Sequence, residues 1–398
     1  MPDEGEPPTT TVMARGLLPV LCAAVLVDTV FFTALTPLLP HYAHVLRLSK
    51  AGAGLLVGAY PLGTLLGALP GGVVATRLGV RPAVVAGLAV MSLSTVAFGF
   101  GTSVAVCDGA RFAQGVAGAC TWAGALAWLA AAAPVERRGR VLGLAFAAAV
   151  GGSLAGPLVG AVASRAGTGP TFAAAAVAGT LLLGLSLALP RPPAGEAQAL
   201  GRAVAALGDG VVARGLWLTT LAGLAFGVVD VLVPLRLHDL GASAVVIGGA
   251  FLGAAAVEGV LSPVVGRLAD RRGPLLPVRV SLVVGVVVAL SVPVLAPAAA
   301  LVGVLVVGLP SFGALFVPAS TMVSAGAEGV GLHQGLAFGL ANLAWAAGQG
   351  LAAVAGGALA GATDDAVPFA VLAAGLVATA VVLRPRPPRR VWSTGAAG

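Results

Sequence analysis

The chain has 398 residues, 58% hydrophobic and only 9% charged, with a mean hydropathy of +1.02. Soluble domains carry about 25% charged residues, so a water-soluble globule is excluded. The net charge of +7 comes from arginines scattered over short stretches between apolar runs, which excludes the clustered basic face of a nucleic-acid-binding protein.

Runs free of Asp, Glu, Lys and Arg extend from Lys50 to Arg77, Arg81 to Asp108, Arg111 to Glu136, Arg140 to Arg165 and Arg279 to Glu328. A helix crosses hydrocarbon with about 20 apolar residues, so the sequence predicts an all-α polytopic membrane protein. Twelve spans are predicted at 16–40, 52–76, 82–101, 103–133, 140–163, 170–190, 215–236, 244–266, 276–296, 298–323, 333–360 and 367–384. The 279–328 run divides in two because Ala296-Pro297-Ala298 supplies a break. The polar, acidic stretch from Met1 to Val12 is not a signal peptide, so the first span is expected to remain as an anchor. The 58 glycines let membrane helices approach closely.

With both termini in the cytoplasm, seventeen of the 22 basic residues lie inside, Arg111 lies within a span, and only Arg47, Lys50, Arg165 and Arg236 lie outside. That split follows the positive-inside rule and points to a multi-pass protein of the bacterial inner membrane. Cys22, Cys107 and Cys120 read as small packing residues rather than a disulfide framework. His41, His44, His238 and His333 fall in loops or at a boundary without metal-ligand spacing, so no metal is expected.

The chain repeats itself. GGVVATRLGVRP around Gly72 and VGRLADRRGPLL around Gly266 are offset by 194 residues, and the same offset aligns Pro40 with Pro234, Ser49 with Ser243 and Gly54 with Gly248. Two six-span halves are expected, residues 1–190 and 215–398, joined by a cytoplasmic linker at 191–214. A parallel repeat of this kind puts the substrate site between the halves near the midplane.

These features resemble the major facilitator superfamily over nearly the whole chain. The family's loop signature after the second helix, G-x-L-A-D-R-x-G-R-[RK], is matched by Gly72, Arg77, Gly79 and Arg81, with Thr76 in place of the Asp. The second copy is fuller: Gly266, Leu268, Ala269, Asp270, Arg271 and Gly273. The glycines permit a tight turn, and the Arg and Asp are expected to latch neighbouring helix ends through charge-assisted hydrogen bonds. Arg111, Gln114 and Gly115 look like the family's R-x-x-Q-G motif. Gly143, Gly152, Gly156-Pro157 and Gly160 match the fifth-helix pattern of its drug:proton antiporters, with Ala161 in place of a final Gly. The first span, VLVDTVFFTALTPLLPHY, and the eleventh, AFGLANLAWAAGQGLAAVAGG, resemble those of vesicular amine transporters and their bacterial multidrug relatives. Asn342 stands where the vesicular transporters carry a titratable Asp.

Three acids, Asp28, Asp230 and Glu258, fall inside apolar stretches. A carboxylate in hydrocarbon costs about 2.5–3.5 kcal/mol on insertion scales and marks a site that carries a proton or holds a cation. Asp28 lies near mid-depth with Phe32 one turn on, which suits an organic cation through charge and cation–π attraction. Tyr60, Trp122, Asn342, Trp345 and Gln349 are candidate cavity linings, because polar and aromatic tips in mid-span need a partner. A carboxyl alternately buried and wetted exchanges protons, so Asp28, Asp230 and Glu258 are the candidate proton carriers. Arg111 is expected to couple to a carboxylate or to backbone carbonyls, with neutralisation by Asp108 three residues before it as the alternative. Each acid has a plainer reading as a structural hydrogen-bonding group.

The resemblance implies a proton-coupled antiporter that exports small cationic or amphiphilic drug-like compounds by alternating access, as a monomer powered by the proton gradient and without a cofactor. A sugar or metabolite exporter, or a proton symporter, of the same fold fits the same residues, as does a non-transporting membrane sensor. An enzyme is not expected: P-loop, nucleophile-elbow, HExxH and CxxC motifs do not occur.

Overall fold

The computed structural model describes residues 16–134, 137–190, 200–332 and 334–383. Met1 to Val12, the 191–199 part of the linker and His333 lie outside the described residues, as do the side chains of Thr76 and Asp270 within their helices.

Among the described residues twelve long helices, α1 to α12, run back and forth, with one short helix in the linker, so both ends of the described chain lie on one side, here the linker end. The first, α1 (Leu17–Val45), is broken: it is α-helical over Leu17–Thr33, makes a 3-10 turn at Thr36–Leu38 and resumes at Leu39–Val45. Pro37 and Pro40 cause this, since neither has an N–H to continue the ladder. Next come α2 (Lys50–Arg77), α3 (Val80–Gly99), α4 (Val104–Ala132), α5 (Arg138–Ala166) and α6 (Thr168–Ala188). The second half holds α7 (Gly210–Asp239), α8 (Ala244–Arg272), α9 (Leu275–Ser291), α10 (Ala298–Gly329), α11 (Gln334–Ala362) and α12 (Ala366–Val382).

Ten of the twelve are long and apolar enough to cross a membrane. The other two, α9 and α12, have 17 residues each, the short end of the spanning range. Two departures from the sequence reading stand out. Helix α7 begins at Gly210, inside the stretch expected as linker, because Asp209 caps it by accepting from the N–H groups of Val211 and Val212. Helix α10 is not continuous: it pauses at Leu309 and again at Ala314-Leu315, giving segments Ala298–Gly308, Pro310–Gly313 and Phe316–Gly329. A short linker helix, Leu200–Ala206, buries Ala203 and Ala206 against Val323, Ala327, Leu332 and Ala337 of the second half.

The internal repeat is visible in the backbone. Ser49 and Ser243 both cap their helices by accepting from the N–H three residues on. Gly79 (φ 101°) and Gly273 (φ 80°) both take left-handed turns, the conformation that only glycine adopts freely. In each half an arginine of the third helix caps the sixth: Arg81 donates to the Leu187 carbonyl and Arg279 to that of Leu383, at 3.1 Å for the latter.

The halves meet along two seams, α2 with α11 and α5 with α8. Both are made by glycines remote from the linker end. Gly54 and Gly58 on α2 face the backbone of Ala353, Gly357 and Gly350 on α11, and Gly248 on α8 faces the Pro157 carbonyl, which a Cβ there would meet at 3.0 Å. Lys50 and Asp365 close this end with a 2.6 Å ion pair, the one salt bridge among the described residues. Toward the linker end the halves touch through the rings of Phe146 and Phe338, 5.4 Å between centroids, with no glycine seam there among the described residues. The molecule is therefore shut at the end remote from the linker.

Arg47 is the one non-glycine residue with positive φ (52°) among those described, and its repeat counterpart is Gly241 (φ 84°). The left-handed conformation costs an L-residue about 1–2 kcal/mol. Arg47→Gly should therefore hold or raise the melting temperature in detergent. Arg165→Gly, in the last turn of α5, should lower it, since glycine in a helix costs about 0.5–1 kcal/mol. A drop for Arg47→Gly as large as that for Arg165→Gly would show that the strain is not there.

Candidate functional site

The site is organised by the break in α1. The last carbonyls of the Leu17–Thr33 segment have no helical partner of their own. Arg111 of α4, 1% exposed, supplies donors: its guanidinium bonds the carbonyls of Phe31 (3.0 Å) and Phe32 (3.2 Å) and the Oε1 of Gln114 (2.9 Å). Gln114 in turn donates to Thr95 Oγ1 of α3 at 3.0 Å. Gly115 lets α4 lie directly on the Tyr60 carbonyl and Thr64 backbone of α2. The three motif residues thus tie α4 to α1, α3 and α2 respectively. Asp108 makes no ion pair with Arg111, so of the two expectations the backbone carbonyls are the partner. The guanidinium also lies 5.0 Å from the Tyr60 ring and 5.7 Å from that of Phe98.

Asp28 sits one turn before these carbonyls, 3% exposed. Its Oδ2 accepts from Tyr60 Oη (2.9 Å) and from Trp122 Nε1 (2.8 Å), while its Oδ1 is buried without a donor. Gly118 on α4 leaves the room: a Cβ there would lie 2.6 Å from Tyr60 Oη and 2.8 Å from Asp28 Oδ1. Phe32 packs on Tyr60 (4.9 Å between centroids) and reaches across the interface to the edge of Trp345 on α11 (5.4 Å). Asp28, Phe32, Tyr60, Trp122 and Trp345 are therefore brought together.

The other candidates fall elsewhere. Asp230 on α7 accepts from Gln349 Nε2 of α11 at 2.9 Å. It also lines a cavity of about 10 Å³ between the halves, shared with Phe32, Leu35, Thr36, Val57 and Arg111, room for about one water. Glu258 on α8 stands apart from both acids. Its carboxyl lies in the notch left by Gly313 at the α10 break and makes no hydrogen bond to the described residues. Asn342 on α11 is half-buried and likewise makes none. Among the described residues, no group of His, Cys, Asp and Glu is arranged to hold a metal ion.

The remaining motif residues shape helix packing. Gly152, Gly156 and Gly160 on α5 bear on α1 at Leu26 and Thr29, at Val30 and Thr33, and at Ala34 and Pro37 in turn. Pro157 sits within α5 with its carbonyl toward Gly248. Gly266 faces the side chain of Val317, while Arg77 and Arg271 are exposed at the linker end. Sequence reasoning missed Gly118, Phe146 and Phe338. Phe338 had a signal, because Phe338, Asn342, Trp345 and Gln349 recur at helical spacing on one face of α11. The other two had none.

Gly118→Ala should break the Tyr60–Asp28 bond and lower stability by about 1–3 kcal/mol, the range for overpacking. Gly109→Ala on the same helix, with open space around it, should keep or raise stability. Thermal unfolding in detergent checks the pair, and equal effects would contradict the packing described.

Comparison with known proteins supplies the context. A family model described as Major Facilitator Superfamily matches residues 21–332. Multidrug resistance protein 2 of Bacillus subtilis (strain 168) is 31% identical over 145 residues, 36% of each chain. A probable vesicular acetylcholine transporter-B of Danio rerio is 31% identical over 157 residues, 37% of this chain and 32% of that one. The chain spans about a third of the length of these curated relatives. Among solved structures, a D-xylose-proton symporter superposes with a TM-score of 0.77 over 94% of this chain and 98% of its own, at 16% identity. A bacterial homologue of the human lysosomal transporter Spinster, inward-facing and unoccupied, gives a TM-score of 0.74 over 95% of each chain, also at 16% identity. At such identities the likeness concerns the fold.

Proposed function

The chain belongs to the Major Facilitator Superfamily, and from that premise we propose that it is a proton-coupled antiporter exporting small cationic or amphiphilic compounds by alternating access. One observation carries this reading: a mid-membrane carboxylate, Asp28, held by Tyr60 and Trp122 and fronted by the Phe32–Trp345 contact between the halves. Anion and aromatic faces together suit an organic cation. The names of two relatives, a multidrug resistance protein and a vesicular acetylcholine transporter, agree with such a cargo.

The arginine distribution supports placing the linker end in the cytoplasm, with a bacterial inner membrane as the membrane of this reading. The end closed by the glycine seams and the Lys50–Asp365 pair is then the outer one, and substrate enters from the cytoplasm. Binding beside Asp28 competes with protonation of the acids, so each ligand weakens the other, which is the coupling that exchange requires. Glu258 is the leading proton carrier of the second half. Its carboxyl has no hydrogen-bonding partner among the described residues and faces the interrupted helix α10, so movement of that break alters its surroundings.

Asp28→Asn should cut transport of cationic compounds at least about tenfold, the scale of 1.4 kcal/mol, and spare neutral ones. Equal loss for both classes would make Asp28 structural. Glu258→Gln, a stand-in for the protonated acid, should abolish efflux driven by a pH gradient in proteoliposomes while keeping substrate-for-substrate exchange. Gradient-driven efflux at the wild-type rate would move the carrier role to Asp28 or Asp230.

A further inference from the structure

Two chains of aromatic contacts lead from Asp28 to α11. One runs through Tyr60 and Phe32 to Trp345, with centroids 4.9 and 5.4 Å apart. The other runs through Trp122 and Phe146 of α5 to Phe338, with centroids 5.9 and 5.4 Å apart. Phe32–Trp345 and Phe146–Phe338 both cross from the first half to the second. On α11, Phe338 and Trp345 are seven residues apart and so share a face. Asn342 is four residues after the first and three before the second, on that same face between the two crossings. Its half-buried amide has no hydrogen-bond partner among the described residues. The amide is not sealed away from solvent, so it is open to a ligand, and the polar groups that fix a ligand's orientation in an aromatic-lined site are few.

We propose that Asn342 is the neutral pole of the binding site and selects its cargo. It takes a hydrogen-bonding group of a flat, amphiphilic monocation whose charge is drawn to Asp28. The apolar body of that cation lies between the Phe32–Trp345 and Phe146–Phe338 pairs. This inference rests on the cation-site reading above and narrows it. Because the second pole is an uncharged amide, monocations bearing an amine, hydroxyl or carbonyl are favoured over dications.

Equilibrium binding to the purified full chain in detergent tests this with three probes. Tetraphenylphosphonium is an aromatic monocation without a hydrogen-bonding group, ethidium is a flat monocation with aryl amines, and dequalinium is a dication. Asn342→Leu should weaken ethidium about threefold to tenfold, the scale of one net hydrogen bond, and leave tetraphenylphosphonium within about twofold. Asn342→Asp, which keeps the shape, should raise the affinity for dequalinium relative to tetraphenylphosphonium. Equal loss of ethidium and tetraphenylphosphonium in Asn342→Leu, or no loss of either, overturns the proposal, as does an unchanged dication preference in Asn342→Asp. If the wild-type chain binds neither monocation, or if Asp28→Asn binds both as well as wild type, the underlying cation reading fails. Normal Asp28 dependence without an Asn342 effect sinks this inference alone.

Discussion

Backbone groups buried in hydrocarbon must find partners inside the protein, and the break in α1 is where this requirement is sharpest. Pro37 and Pro40 interrupt the ladder at Thr33, and the guanidinium of Arg111 takes up the carbonyls of Phe31 and Phe32. A cation at the C-terminal end of a helix segment also meets the negative end of its dipole. One side chain thereby holds the broken end of α1 against α4. Asp28 lies one turn back along the same segment and Phe32 at its end, so the placement of both follows from that bond. Gln114 and Gly115 extend the anchorage to α3 and α2.

The rest of the first half is arranged to let α1 sit this deep. Three glycines of α5 bear on its backbone from one side, while Gly118 makes room on α4 for the Asp28–Tyr60 bond. The seams between the halves use the same device, glycine against backbone, but only at the end remote from the linker. Such contacts bring the backbones of the two halves close with little side chain between them. Lys50 adds a charge there that its own helix disfavours, since a cation at a helix N-terminus opposes the dipole. Its compensation comes from Asp365 in the other half.

The three membrane acids occupy three settings. Asp28 has two donors on one oxygen and none on the other, Asp230 has one donor from Gln349, and Glu258 has none among the described residues. The most tightly held carboxylate faces the aromatic cluster, and the least tied one faces the interrupted helix α10.

Hydropathy, with the break at Pro297, located all twelve helices with ends within about six residues, because the cost of burying charge in hydrocarbon acts locally along the chain. The repeat aligned Ser49 with Ser243 and Gly79 with Gly273, and the structure makes them paired helix caps and paired left-handed turns, since a cap or a positive φ is dictated by the residues at the turn. The acids of the site, with Phe32, Tyr60, Trp122 and Trp345, were legible as misfits in apolar runs, while Phe146 and Phe338 were not. Their partners were not. That Arg111 takes carbonyls rather than Asp108, that Asp28 is shared by Tyr60 and Trp122, and that Phe146 meets Phe338 all depend on how helices far apart in sequence rotate against one another. The pauses in α10 were also invisible, because Gly308, Pro310 and Gly313 sit in an apolar run long enough to read as one helix. Composition and spacing thus determined which groups enter the membrane. Only tertiary packing, through glycine contacts and one arginine, decided which of them meet.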